Sequence, residues 1–332
     1  MAGSYLATRF PSGEHATVLP RLLVPSLADL PCDISVIIVA YNGWAYLHRC
    51  LSALAEAMVG LRAETIVVDN GSTDGTPERL EALYPDIALV PLAHNTGFAA
   101  ANNRGILASR GRYVLLLNSD TEPEVGSITK LVHFLDRHSQ VAVVAPRLLN
   151  TDGTEQHTAR RFHRPLDAIF GRRSLATRFF PNNPVARRTL VSRAHPGDDP
   201  YEVDHVSGAC LLARRAAIIR VGALDEEFFF YWEDSDWCFR FKADGWGVWC
   251  LPAARVLHHE HKSSDRQPNR LIIEFHRSVY HYYCKHHARF WLHPMRLIAA
   301  VGLGVRAGVL LTRNTVGPRR SPVSPHRNVS VL

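Results

Sequence analysis

The segment FFFYWEDSDWCFR, Phe228 to Arg240, sets Glu233, Asp234 and Asp236 within four positions, directly behind five aromatic residues. A carboxylate held against apolar surface loses solvation, and its pKa rises toward the range useful to a general base. Acids in the first turn of a helix also answer the helix dipole, and the stretch from Asp234 to Asp244, closed by Gly245, reads as a short helix. Asp236 stands one turn before Arg240, an ordinary spacing for a helix ion pair. Base chemistry and helix electrostatics therefore both remain open for these acids.

Two further acids, Asp69 and Asp120, each follow an apolar run. A lone Asp after a strand is commonly a turn former or N-cap, so their joint placement matters more than either residue. Asp69 suits the ring N–H of a pyrimidine base. Asp120 suits Mg²⁺ or Mn²⁺, which take oxygen ligands from one or two carboxylates and from substrate phosphates. A cation-bridged diphosphate is a stabilised leaving group, and that chemistry is sugar transfer from a nucleotide sugar. The segment VLHHEHKSS (256–264) holds three histidines. They read as surface imidazoles or as part of such a site, since no cysteines stand at zinc-ligand spacing.

These residues need a scaffold that gathers them. Short Val/Ile/Leu-rich runs predict strands at 34–40, 64–69, 87–92, 112–118 and 141–145, with helices at about 46–58, 77–84, 98–109 and 124–138 between them. Such alternation predicts a parallel sheet covered by helices, whose ligands bind beyond the carboxyl ends of the strands. The segments AYN, DNGSTDGT, HNTGFAAANNRG and NSDTEP follow four of these strands. The first loop, YNGWAYL, lacks GxGxxG, and no GxxxxGK[ST] occurs, which argues against dinucleotide and P-loop enzymes.

Bulk properties narrow the partners. The 332-residue chain carries a formal charge of +7, which suits phosphates, nucleic acid or a lipid surface. Its six cysteines form no CxxC pair, so a reducing cytoplasmic setting is the simplest expectation. Residues 1–32 contain several Pro and Ser, show no secretory pattern, and read as an extension. The apolar run 297–311 is interrupted by Arg306 and falls short of the ~20 residues that span a bilayer. With arginines around it, it fits an interfacial helix on an anionic membrane or a terminal helix packed on the domain. From Arg160 to Arg193 there are nine arginines and one acid, Asp167. That stretch reads as a solvated loop or as a lid over an acceptor diphosphate, for which arginine forks are suited.

Taken in order, VIIVAYNGWAYLHRCL, VVDNGSTDGT, NTGFAAANNRG, LLLNSD and FFFYWEDSDWCFR resemble glycosyltransferase family 2, particularly its bacterial rhamnosyltransferase-like members, over residues 33–262. The resemblance implies a GT-A fold, that is, an α/β protein with a mostly parallel central sheet flanked by helices, here with a C-terminal helical extension. The expected layout is an extension (1–32) and a GT-A domain (33–265), followed by a helical, membrane-associated segment and tail (266–332). Within the domain, 33–150 would bind the nucleotide sugar and 151–265 the acceptor, with a basic insertion at 151–200.

Carried over by position, the resemblance makes Asp234 the base of an inverting single displacement, with Glu233, Asp236 and Trp232 on the acceptor. Asp69, Ala40 and Asn42 would meet the nucleoside. Asn95, Gly97 and Asn103 would shape the donor loop and the helix beneath it. Asn118 and Ser119 precede Asp120 on the donor side, Asn118 standing where many members have Asp. Asp120 and His258, preferred over His259, would hold the divalent cation, Mg²⁺ or Mn²⁺. The implied reaction moves L-rhamnose from dTDP-rhamnose to a cell-envelope glycan or a polyprenyl-diphosphate-linked acceptor. The expected setting is the inner face of the cell membrane, with no nucleic-acid partner. The competing expectations are a nucleotidyltransferase, which would want a basic consensus near the first strand, and a non-catalytic glycan or nucleic-acid binder on a decayed fold. Retention of Asp120 and Asp234 speaks against decay.

Overall fold

The computed structural model describes residues 32–162, 191–259, 268–287 and 293–316. The N-terminal extension up to residue 31, the insertion at 163–190 and the segment 260–267 lie outside the described residues, so the expected arginine lid is not described. In chain order the elements are β1 (Ile34–Ala40), α1 (Trp44–Ala57), β2 (Ala63–Asp69), α2 (Thr76–Leu83), β3 (Ala88–Pro91), α3 (Phe98–Ala108), β4 (Tyr113–Asn118), β5 (Thr121–Pro123), α4 (Ser127–Arg137) and β6 (Val141–Leu149). They continue with β7 (Tyr201–Glu202), β8 (Cys210–Arg214), α5 (Arg215–Val221), α6 (Glu233–Ala243), β9 (Gly247–His258), α7 (Pro268–His286) and α8 (His293–Val316).

The strands form one sheet in the order β3-β2-β1-β4-β8-β6-β9-β5, with β7 paired to β9. β3, β2, β1 and β4 are mutually parallel, as the alternation of strand and helix patterns predicts. Beyond them the sheet is mixed, because β8 runs antiparallel to both β4 and β6. Alternate residues of β1 enter two cores. Ile34, Val36 and Ile38 pack with Leu47, Leu51 and Leu54 of α1 and Leu131 of α4, and Ile37 packs with the layer that includes α3 and Trp237 and Phe241 of α6. Burial on both faces explains why these strands are continuous apolar runs. Gly105 of α3 sits directly over Ile37, where a Cβ would collide with the isoleucine side chain.

Register fixes what the sheet presents at its edge. Ala40 pairs with Asp69, Val39 with Asn118, and Asp69 with Pro91. With strands about 4.8 Å apart, the four parallel strands end level, and their polar terminal residues share one rim.

α7 and α8 form an antiparallel pair. Asn269, His276 and Cys284 of α7 meet Asn314, Arg306 and Arg296 of α8 in reverse order. α8 is longer than the apolar run in the sequence suggests. Residues Pro294–Asn314 are long and apolar enough by length and composition to cross a membrane, and none of that stretch is buried. The helix outruns the fifteen-residue run because helical geometry continues into the flanking residues on both sides.

Candidate active site

On the donor side, Asp69 is buried at the end of β2. One carboxylate oxygen, Oδ2, accepts from the Ser72 N–H at 3.0 Å; the other, Oδ1, is buried with no partner among the described residues. A buried acceptor left unpaired is costly, and a base N–H would satisfy it. Asn42, in a left-handed conformation, accepts from the Thr73 N–H at 2.7 Å through its side chain and donates its own main-chain N–H to the Ser72 hydroxyl oxygen at 3.0 Å. Those bonds fold the loop after β1 onto the loop after β2, beside Ala40.

The loop after β3 is locked from the same centre. Buried Asn70, not anticipated from the sequence, donates to Asn95 Oδ1 and the Gly97 carbonyl and accepts from the Thr96 N–H. Gly97 has φ +92°, and a Cβ there would lie 2.5 Å from the Phe229 carbonyl, which accepts the Phe98 N–H at 2.7 Å. This contact joins the donor loop to the aromatic segment. Asn103 shapes the same junction: its amide bonds both the carbonyl and the N–H of Leu224 as well as Glu226. Asn95 Oδ1 accepts from Asn70 and from the Gly97 N–H, so Asn95 and Asn103 both clamp the loops around α3.

The turn after β4 carries Ser119, half-buried, and Asp120. The Thr121 hydroxyl closes it by donating to the Asn118 carbonyl at 2.7 Å. β5 then pairs with β9, setting Thr121 opposite His258, and His258 Nε2 lies 3.4 Å from Asp120 Oδ1. Gln156 donates its amide hydrogens to Asn150 Oδ1 and to the His258 carbonyl, so its oxygen faces His258 Nδ1 at 2.8 Å. Nδ1 therefore carries a hydrogen and Nε2 is the nitrogen turned to Asp120, the arrangement usual for a metal-binding histidine. His259 is spent elsewhere, bonded to Glu122 at 2.6 Å and packed on Tyr46. Burial would raise the Asp120 carboxyl, but His258 outweighs it and holds the group below its usual range. The Asn118 amide oxygen is buried beside them without a partner. A carboxylate, an imidazole and a spare amide oxygen fit a divalent cation completed by phosphate oxygens. Among the described residues there is no group of three or more His, Cys, Asp and Glu that would make a closed protein cage.

The aromatic and acidic segment contains two consecutive left-handed residues, Tyr231 (φ 69°) and Trp232 (φ 71°), and α6 begins immediately after them. Its first turn sends three acids into three environments. Asp234 accepts from the Gly208 N–H at 3.0 Å and the Ser235 N–H at 2.6 Å. Burial raises its carboxyl against the lowering effect of those N–H groups. Glu233 is buried, its Oε2 has no partner, and burial and then the Asp234 charge push it well above the usual range. Both carboxyls of the pair are raised, Glu233 by burial and the Asp234 charge and Asp234 by burial, and Asp234 is the one that main-chain N–H groups meet.

Asp236 corrects the expectation of an acceptor ligand. It is 0% exposed, and its carboxylate meets Arg240 at 2.9 Å, His286 at 2.7 Å and Lys285 at 2.8 Å. Both oxygens are consumed, so the anticipated pairing with Arg240 is part of a structural hub. Trp232 is half-buried, with its ring tilted against Tyr282 and Phe275 of α7. Most of the FFFYW run docks α7: Phe228 meets His281, Phe229 lies under Arg270, and Tyr231 meets Phe275.

The two halves of the site touch through β8. The Asn118 N–H donates to the Ala209 carbonyl at 2.9 Å, and the preceding residue, Gly208, holds Asp234. A carboxylate is thereby fixed one strand away from the residues suited to a nucleotide and a cation. Such a rim on a mixed α/β sheet fits a transferase that draws on a nucleotide-linked donor. The family model for glycosyl transferase family 2 matches residues 35–222, and the chain belongs to that family. It is 31% identical over 297 residues to the N-acetylglucosaminyl-diphospho-decaprenol L-rhamnosyltransferase of Mycobacterium tuberculosis, covering 86% of this chain and 95% of that protein. It is also 32% identical to the pre-mycofactocin glycosyltransferase of the same organism, over 70% of this chain and 44% of that one. Among solved structures, GalNAc-T7 with UDP, GalNAc and Mn²⁺ aligns with a TM-score of 0.52 at 15% identity, covering 70% of this chain and 44% of that chain. The mannosyltransferase PcManGT of Pyrobaculum calidifontis, in complex with GDP-Man and Mn²⁺, aligns at 0.50 and 19% identity, covering 86% and 79%. The fold is GT-A, and the protein is a glycosyltransferase of rhamnosyltransferase-like type.

Proposed function

We propose that the protein transfers L-rhamnose from dTDP-rhamnose, with inversion, to a hydroxyl of a polyprenyl-diphosphate-linked glycan precursor of the cell envelope, at the cytoplasmic face of the membrane. The relative from Mycobacterium tuberculosis, similar over nearly its whole length, supports the sugar and the class of acceptor. The observation that carries the reading is the link from Asn118 through Ala209 and Gly208 to Asp234, which ties the base to the donor rim.

Asp69 Oδ1 accepts the thymine ring N–H. Asp120 and His258, with the Asn118 amide oxygen, would hold the divalent cation, whose charge when bound stabilises the diphosphate leaving group. The acceptor hydroxyl oxygen forms its bond to the anomeric carbon as the bond to the diphosphate oxygen breaks. That oxygen keeps the electron pair, and Asp234 takes the hydroxyl proton.

The test is transfer from dTDP-rhamnose to an N-acetylglucosaminyl polyprenyl diphosphate in the presence of Mg²⁺ or Mn²⁺. Asp234→Asn should keep dTDP binding and lose transfer by about 10²–10⁴-fold, and excess chelator should abolish turnover. Near-normal turnover by Asp234→Asn, or full turnover under chelation, overturns the reading.

A further inference from the structure

α7 lies beyond the family-matched residues, yet it closes around the catalytic motif. Lys285 reaches both Asp236 and Asp225, His286 reaches Asp236, and the Ser278 hydroxyl donates to the Phe230 carbonyl at 3.0 Å. Asp236 stands two residues after Asp234 on α6. The position of the base-bearing helix therefore depends on α7 being seated. α8 rests on the far side of α7, and its outer face carries Leu297, Ile298, Val301, Val305 and Val309, which are 47–68% exposed. Their spacing draws one continuous apolar stripe along the helix.

The charge beside the stripe selects the occupant. α8 carries no acid; its Arg296 and Arg306 turn to α7, while Arg313 of α8 and Arg270 and Arg277 of α7 are exposed, against one half-buried acid on α7, Glu274. A second copy seated on the stripe would bring arginines against arginines, whereas an anionic bilayer neutralises them. The antiparallel seat on α7, which is itself bolted to the domain, favours a helix lying in the lipid surface over one crossing it.

We propose that the outer face of α8 docks into an anionic bilayer and that this contact, relayed through α7 to Asp236, steadies α6 and raises transfer. Lys285 and His286 are then positioning residues. The gain in transfer rests on the glycosyltransferase reading above; the docking and the steadying do not.

The test uses the full chain with phosphatidylcholine vesicles, with and without phosphatidylglycerol. It follows co-sedimentation, amide hydrogen exchange in residues 233–243, and the kcat and KM for transfer. Wild-type protein should sediment with the anionic vesicles, and exchange in α6 should slow. Val301→Glu/Val305→Glu should bind about tenfold more weakly or worse and show no slowing. Lys285→Ala should bind vesicles like wild type without slowing α6, its kcat falling at unchanged donor KM, and Lys285→Arg should restore both. Equal binding to neutral vesicles, or none to anionic ones, overturns the docking. So does dimerisation in solution that the Val301→Glu/Val305→Glu protein loses. Exchange in α6 that ignores vesicles overturns the relay. If the donor or acceptor differs from the proposed pair, sedimentation and exchange are unaffected, so the two failures are distinguishable.

Discussion

Replacing Asp236 with Asn tests whether the acid is the hub that the geometry describes. The substitution keeps the shape and removes one charge from a fully buried position contacted by Arg240, Lys285 and His286. Removing one partner of a buried ion pair costs about 3–5 kcal/mol. The low end applies here, because Arg240 keeps the carbonyls of Val221 and Ala223 at 2.8 and 2.7 Å and Lys285 keeps Asp225. About 3 kcal/mol is roughly a 150-fold change in the folded-to-unfolded ratio and about 6–12 °C in Tm for a domain of this size. Urea unfolding should show a lower midpoint at unchanged slope.

The pH dependence supplies a second reading of the same variant. Burial alone would raise the Asp236 carboxyl, but His286, Arg240 and Lys285 overcome it and depress it. A depressed carboxylate contributes stability above its unfolded pKa of about 3.9 and loses it as pH falls through the folded value. The gap between wild type and Asp236→Asn should therefore be full at pH 7 and close below about pH 4. A difference under about 1 kcal/mol at pH 7, the range of exposed ion pairs, or a gap that does not close in acid, would refute the hub.

Asp69→Ala removes the unpaired acceptor at the end of β2 and should weaken dTDP binding by about 5–150-fold, read by calorimetry; unchanged affinity would remove Asp69 from the nucleoside site. Gly97→Ala must adopt φ +92° with its Cβ 2.5 Å from the Phe229 carbonyl, so it should lose about 1–3 kcal/mol in urea unfolding together with transfer activity. Wild-type stability there would mean that the donor loop and the aromatic segment are not in register as described.

The donor half was legible because its strands are buried on both faces, which leaves Ile66 to Val68 and Tyr113 to Leu117 as unbroken apolar runs ending in Asp69 and Asn118. The acceptor half was less so. Nothing local in CLLAR says that β8 runs against its neighbours, since strand direction is decided by the chain that leads into it. The resemblance preferred His258 over His259, but the contacts that part the two, Gln156, 102 positions away, and Glu122, are long-range and leave no local trace. Asp236 resembled an acceptor ligand until Lys285 and His286, some fifty residues on, were seen to fill its coordination. The aromatics looked like a sugar platform because composition cannot distinguish a ring offered to a ligand from one offered to a helix.

β8 brings its beginning, not its end, to the chemical edge of the sheet, and what it offers Asp234 there is the main-chain N–H of Gly208. A base anchored by a side chain can lose its anchor through almost any substitution of that partner. Every amino acid but proline keeps this donor. An added methyl at position 208 would meet the Phe98 ring at 3.4 Å and the Asp234 Cβ at 3.7 Å, both ordinary contacts. The inheritance of the anchor is therefore carried by the direction of a strand, and sequence drift at the neighbouring position leaves it in place.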